Sequence, residues 1–328
     1  MSSKDEIMDD ENPFGDWGKA TAGLIDGVVN IGFLDRSVCF LELIKQSETD
    51  GKELIVGRGT GTWVKHNGTL FLLTNWHVLT GLHHETREWL DTTRACHPDR
   101  IKIYFNGVGN GDGRLTFAVW SQNLWFNHNG KQRPIWKVHP DVGSYWDLAV
   151  LEIYDESTKS QAVAIKIETK DIWKILPRDF EVKVIGYPPT SHLEKYLPII
   201  KRGTSASIPQ YAFNGMPMFL IDSATRGGMS GSPVFLHRSD LHKVIKTNSQ
   251  YDQINSGEIL GIYSGRVSGI EKRFSSDLGY VWRIDNVLPL LSDGKFDAIP
   301  RWGESIPRPS FNAGENALDE DGNLKHNI

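Results

Sequence analysis

Two cysteines, Cys39 and Cys96, are all that 328 residues contain. One pair cannot make the disulfide framework of a small secreted fold, so both are expected as free thiols in a reducing cytoplasm. Basic residues are not in excess: 36 Lys and Arg stand against 41 Asp and Glu, for a net charge of −5. They form no stripe, so the electrostatic footprint of a nucleic-acid binder is missing. No run of about 18 apolar residues occurs, and no membrane-spanning helix is expected. The start, MSSKDEIMDDENPFGDW, is acidic and polar and lacks the apolar core of a signal peptide. Internal repeats are absent. Helical periodicity is scarce, with TREWLDTTRA (86–95) and VLPLLS (287–292) its best instances. KATAGLIDGVVNIGFL (19–34) reads as a short docking helix, an expectation its glycines weaken.

What the chain does have is glycine, 32 residues of it, and many short apolar stretches bounded by turn residues. GTWVKHNGTLFLLT carries two apolar arms around Asn67-Gly68, the strongest short hairpin signal. IKIYF alternates through Ile101, Ile103 and Phe105, and DLAVLEI through Ala149, Leu151 and Ile153. SVCFLEL, EVKVIGYP, MFLIDS, GSPVFL, EILGIYSG and GYVWRI extend the series. Short strands without alternating helices predict an all-β barrel or sandwich. The expected organisation is an N-terminal extension over 1–35, a core over 36–292 and a proline-rich polar tail over 293–328. Within the core, 168–179 links a first unit, about 36–167, to a second, about 180–292.

Residues 224–235, ATRGGMSGSPVF, place Ser230 among glycines ahead of an apolar strand. A serine hydroxyl is a poor nucleophile without a base, a carboxylate to orient that base, and donors for the developing oxyanion. His77, after the apolar strand of LFLLTNWHVLTG, is the candidate base. Asp147, at the head of DLAVLEI, is the candidate acid; Asp91, Asp99 and Asp141 are alternatives that precede no comparable strand. An ionised aspartate entering a core needs partners against desolvation, and an imidazole N–H is one. Gly227 and Gly228 permit a backbone turn that aims the amides of Gly228 and Ser230 at one point, and Gly231 leaves room behind. The order is His, Asp, Ser, at separations of 70 and then 83 positions. α/β-Hydrolases run Ser, acid, His and subtilisins Asp, His, Ser, and both need helices this chain lacks.

The blocks LLTNWHVLTG, YWDLAVLEI and DSATRGGMSGSPVF resemble the three signature blocks of trypsin-like serine peptidases, most nearly the bacterial HtrA-type peptidase domain. GRGTGTWV, VIGYP and GEILGIYSG support the likeness in the right order, over about residues 36–292. The resemblance implies two six-stranded antiparallel β-barrels of the chymotrypsin type, with the site in the cleft between them. It implies a serine endopeptidase acting on a protein or peptide substrate without metal or cofactor. Substrate contacts fall to Ala224, Thr225, Tyr263, Ser264 and Gly265.

The sequence also departs from the digestive enzymes. Met229 replaces the aspartate that pairs with a new N-terminus on zymogen activation, so that route is not expected. Ala224 replaces the pocket carboxylate, which favours a small or apolar residue before the cleaved bond; Arg226 and Arg266 are surface arginines. Too few residues follow 292 for a PDZ domain, leaving recognition to the barrels, the 81–100 insertion or the extensions. Gating by a partner protein or a conformational change is expected, in a stress or defence response. Two alternatives stay open: a latent protease-fold binding module, and a viral or plasmid processing protease. His83, His84 and Glu85 read as a solvated loop, and GNGDGR (109–114) as a hairpin turn.

Overall fold

The computed structural model describes residues 21–28, 32–47, 49–107, 114–128, 130–167, 172–174, 176–188, 197–225, 227–237, 258–268 and 275–299. The architecture is all-β and of the chymotrypsin type. In the first half the strands are β1 (Thr21–Val28), β2 (Val38–Gln46), β3 (Glu53–His66), β4 (Thr69–Thr74), β5 (Arg100–Asn106) and β6 (Arg114–Asn123). β7 (Trp125–His128), β8 (Lys131–Pro134), β9 (Lys137–Val138), β10 (Ala149–Glu152) and β11 (Ile165–Lys166) follow. The second half holds β12 (Glu181–Gly186), β13 (Ile199–Ser205), β14 (Met218–Asp222), β15 (Pro233–Leu236), β16 (Ile259–Ser268) and β17 (Ser275–Arg283), then β18 (Lys295–Phe296).

Strands β12 to β17 close on themselves as the expected six-stranded barrel, in the order β12-β13-β14-β17-β16-β15. The first half is paired differently. Ten strands form one sheet in the order β1-β6-β5-β2-β3-β4-β10-β9-β18, with β11 beside β3, while β7 and β8 pair apart. The extra members come from outside the expected core, since β1 lies before residue 36 and β18 after 292.

The period-2 pattern explains how this sheet is buried on both faces. Cys39, Leu41, Leu43, Leu70, Leu72, Ala149 and Leu151 point to one apolar cluster. Their neighbours Val38, Phe40, Phe71, Leu73 and Val150 point to another, shared with Val182, Val184, Phe219 and Val234 of the closed barrel. The halves therefore meet through a continuous core. The Asn67-Gly68 hairpin forms as expected: both residues have positive φ (47° and 86°), and His66 pairs with Thr69. That is the type I′ geometry that matches strand twist.

Three local expectations need correction or comment. Over 19–34 the structure has a strand, β1, paired with β6, and a four-residue helix α1 (Phe33–Arg36) instead of one docking helix. The 86–95 segment is not helical. Its backbone is spent on loop contacts: Arg87 has φ 62°, and Leu82 bridges Trp89. By contrast, VLPLLS lies within the helix Val287–Asp293. GNGDGR falls almost wholly outside the described residues. Cys39 and Cys96 are both free thiols. No helix among the described residues is long and apolar enough to cross a membrane.

Candidate active site

His77 is held by the short helix α2 (Trp76–Thr80), which starts as β4 ends. Asn75 precedes it in an extended conformation, and its side-chain amide donates to the Asp147 carbonyl at 2.7 Å. The helix stops at Gly81, whose N–H donates to the His77 carbonyl. Asp147 lies two residues before β10, which pairs with β4. Two neighbouring strands of one sheet therefore carry the histidine and the aspartate to the same end.

Asp147 is fully buried. Three donors meet its carboxylate. The His77 ring gives Nδ1–H to Oδ2 at 2.6 Å, and the His77 main-chain N–H donates to Oδ1 at 2.9 Å. Ser264 donates its hydroxyl to Oδ2 at 2.5 Å. Burial alone would push this carboxyl up; the charge and hydrogen bond of the His77 ring, with help from His84 and Ser264, outweigh it and hold it below the ordinary carboxylate value. The site thus keeps a buried negative charge beside the imidazole, which orients the ring with Nδ1 toward Asp147 and Nε2 away from it. Two of the rival aspartates are engaged elsewhere: Asp99 bonds Lys45, and Asp91 caps the main-chain N–H groups of Thr93 and Arg94.

Ser230 comes from the opposite half, in the turn between β14 and β15. Its hydroxyl donates to the Ser264 carbonyl at 2.7 Å. Gly228 and Gly231 both take positive φ, 83° and 87°. Gly231 N–H donates to the Tyr263 carbonyl and Ser232 N–H to that of Met229. Among the described residues, the Gly228 and Ser230 N–H groups have no backbone acceptor. Two unengaged amides on a left-handed turn beside a serine are what an oxyanion needs.

Gly231 has a steric reason as well. A Cβ there would come within 1.9 Å of the Thr60 carbonyl oxygen and 2.5 Å of Thr74 Oγ1. Gly231→Ala adds that overlap to a left-handed backbone, and is expected to cost about 3–5 kcal/mol in urea unfolding. A loss below about 1 kcal/mol would show that the two halves are not so closely apposed.

His77, Asp147 and Ser230 line one cavity of about 610 Å³. Met216, Met218 and Trp282 give it an apolar wall, and His83, His84, Glu85 and Arg266 a polar rim. Of the five expected substrate contacts, Ser264 and Gly265 line this cavity. Ala224 is exposed. Thr225 and Tyr263 are buried, their hydroxyls 2.5 Å apart. Arg266 donates to the Thr225 carbonyl and so is not a purely solvated arginine; Arg226 lies outside the described residues. His83 and His84 are likewise not simply solvated, since they stack with ring centres 5.2 Å apart and His84 bonds the Tyr145 carbonyl. No cluster of three metal-ligating side chains occurs among the described residues.

Some contributors were not singled out from the sequence for the roles they have. Ser264 was expected only against substrate, yet its hydroxyl is the third partner of Asp147. Asp297, in the segment read as tail, is buried under α2. Its Oδ2 accepts from Trp76 Nε1 at 2.6 Å and Trp136 Nε1 at 3.0 Å. Burial pushes its carboxyl up, against those two indoles and the nearby Arg87. The Arg87 guanidinium lies 4.3 Å from the centre of the Trp76 ring.

Comparison with known proteins adds the family. No curated protein matches the chain in sequence. Two solved structures of Rv3671c, a protease from M. tuberculosis H37Rv, are similar in part. One is an inactive form carrying a serine-to-alanine mutation, with 15% identity, TM-score 0.40, and coverage of 79% of this chain and 86% of that one. The other, also an inactive form, has 15% identity, TM-score 0.41, and coverage of 80% and 91%. Residues 59–241, more than half of the chain, match the family described as the trypsin-like peptidase domain. The chain belongs to the trypsin-like peptidase domain family and is a serine protease.

Proposed function

We propose that the protein is a serine endopeptidase in which Ser230 is the nucleophile, His77 the general base and acid, and Asp147 the orienting carboxylate. The observation that carries this reading is the shared cavity: three side chains 70 and more residues apart line one groove, with His77 Nδ1 already on Asp147 at 2.6 Å. Ser230 Oγ turns about χ1 from the Ser264 carbonyl to His77 Nε2. It then attacks the substrate carbonyl carbon while Nε2 takes its proton. The carbonyl oxygen gains the negative charge and is received by the N–H groups of Gly228 and Ser230. Collapse of the tetrahedral adduct breaks the C–N bond, and His77 returns the proton to the leaving amine. Water, deprotonated by His77, then cleaves the acyl ester and restores Ser230.

The same reading extends the functional core of 36–292 to β1, β18 and Asp297, and takes a small or apolar residue before the cleaved bond, next to the wall of Met216, Met218 and Trp282. The Ser230 hydroxyl resting on Ser264 O supports a gated enzyme, because reorientation must precede attack. A fluorophosphonate probe tests the core of the proposal. The expected result is a single adduct, mapped by mass spectrometry to Ser230. A chain that acquires no adduct there, with or without protein partners, is a binding module.

A further inference from the structure

Three carbonyls of the nucleophile turn, those of Gly228, Ser230 and Gly231, accept hydrogen bonds from one strand of the other half. Thr60 N–H reaches Ser230 O at 2.8 Å, Thr60 Oγ1 reaches Gly228 O at 2.9 Å, and Thr62 Oγ1 reaches Gly231 O at 3.2 Å. Thr60 is fully buried, and every polar atom it has is engaged. Its hydroxyl also accepts the Tyr187 N–H at 3.0 Å, and its carbonyl accepts the Thr74 hydroxyl at 2.8 Å. A buried group satisfied in this way has one orientation only, because any other leaves donors and acceptors unpaired.

The pattern matters for the two amides without backbone acceptors. Gly228 N–H is followed by a carbonyl that the Thr60 hydroxyl holds, and Ser230 N–H by one that the Thr60 amide holds. Gly228 has no side chain to restrain it and sits at φ 83°. Without the bond to its oxygen, the peptide plane after Gly228 can rotate, the Cα that joins it to the plane before loses its anchor, and that preceding plane, which carries the Gly228 N–H, can turn as well. We propose that Thr60 is a positioning residue for catalysis: its hydroxyl sets the direction of the Gly228 amide toward the oxyanion. This rests on the assignment of Gly228 and Ser230 as the oxyanion donors.

The test uses the full chain with Thr60→Val, which keeps the shape and removes the hydroxyl, Thr60→Ala as a second hydroxyl-free variant, and Thr60→Ser, which restores the hydroxyl. The readouts are the second-order rate of fluorophosphonate labelling at Ser230 and the far-downfield proton resonance of the His77–Asp147 hydrogen bond. The expected result is labelling about 10- to 100-fold slower in the Val and Ala variants, with the downfield proton kept. Thr60→Ser should label within about 3-fold of the parent. Labelling of Val and Ala at the parent rate overturns the inference and leaves the protease reading intact. Loss of the downfield proton together with labelling, or a Ser variant as slow as Val, also overturns it, by showing a general loss of structure. No labelling of the parent chain removes the protease reading and the inference with it.

Discussion

Replacing Ser230 by alanine is expected to lower peptide-bond cleavage about a million-fold, the cost of deleting a nucleophile that works as one unit with its base. A residue of activity about 10³–10⁴ above water should persist, because the Gly228 and Ser230 amides and the cavity walls are untouched. The fold should barely notice. Ser230 is half-buried, and its hydroxyl contributes a single bond to the Ser264 carbonyl. Its loss is worth about 1 kcal/mol, or a melting shift of about 2–4 °C. Counting new amino termini released from a denatured protein substrate measures the first quantity, and calorimetry the second. If the alanine variant keeps more than about one per cent of turnover, Ser230 does not perform the attack.

Asp147→Asn is the second large effect, about a 10⁴-fold fall in kcat. The shape is conserved and the hydrogen-bond logic is not. Asp147 faces three donors and has no donor of its own: the His77 main-chain N–H, the His77 ring and the Ser264 hydroxyl. Asparagine turns one oxygen into NH₂, so one of the three meets a donor. If the ring gives way, Nδ1 becomes the acceptor and Nε2 carries the proton, leaving Ser230 without a base. The pH dependence of stability should change as well. A carboxyl held below its unfolded value stabilises the fold above the ordinary carboxylate pKa, and that contribution is lost as pH falls through the lowered one. The asparagine variant lacks this term, so its melting temperature should decline less than the parent's on acidification below about pH 4. A parent and variant with parallel acid profiles would show that the His77–Asp147 pair carries no charge-linked stability.

The sequence made some of this legible for identifiable reasons. His77, Asp147 and Ser230 each lie at the edge of a strand whose apolar pattern is strong, and their order along the chain is informative. The Asn67-Gly68 turn is a local rule and was obeyed locally. The features that escaped are tertiary. TREWLDTTRA has helical composition, but the Arg87 side chain is drawn over Trp76 and the Leu82–Trp89 bridge fixes the loop. The glycines of 19–34 weaken a helix, yet they do not show that an edge at β6 is open to pairing. Thr60 sits within GRGTGTWV, a block whose glycines attract the eye, whereas the threonine hydroxyl is the group that reaches the turn holding Ser230. Nothing in the polar tail announces Asp297, because its indole partners lie 221 and 161 residues away.

That distance has a consequence for how the molecule is made. Translation delivers Trp76 and Trp136 long before Asp297, and β18, which pairs with β9, leaves the ribosome after the whole closed barrel. During synthesis the helix bearing His77 waits with its indole acceptor missing, although the strands around it are ready to pair. The last contact beneath the helix that bears His77 is therefore made only once residue 297 has been supplied.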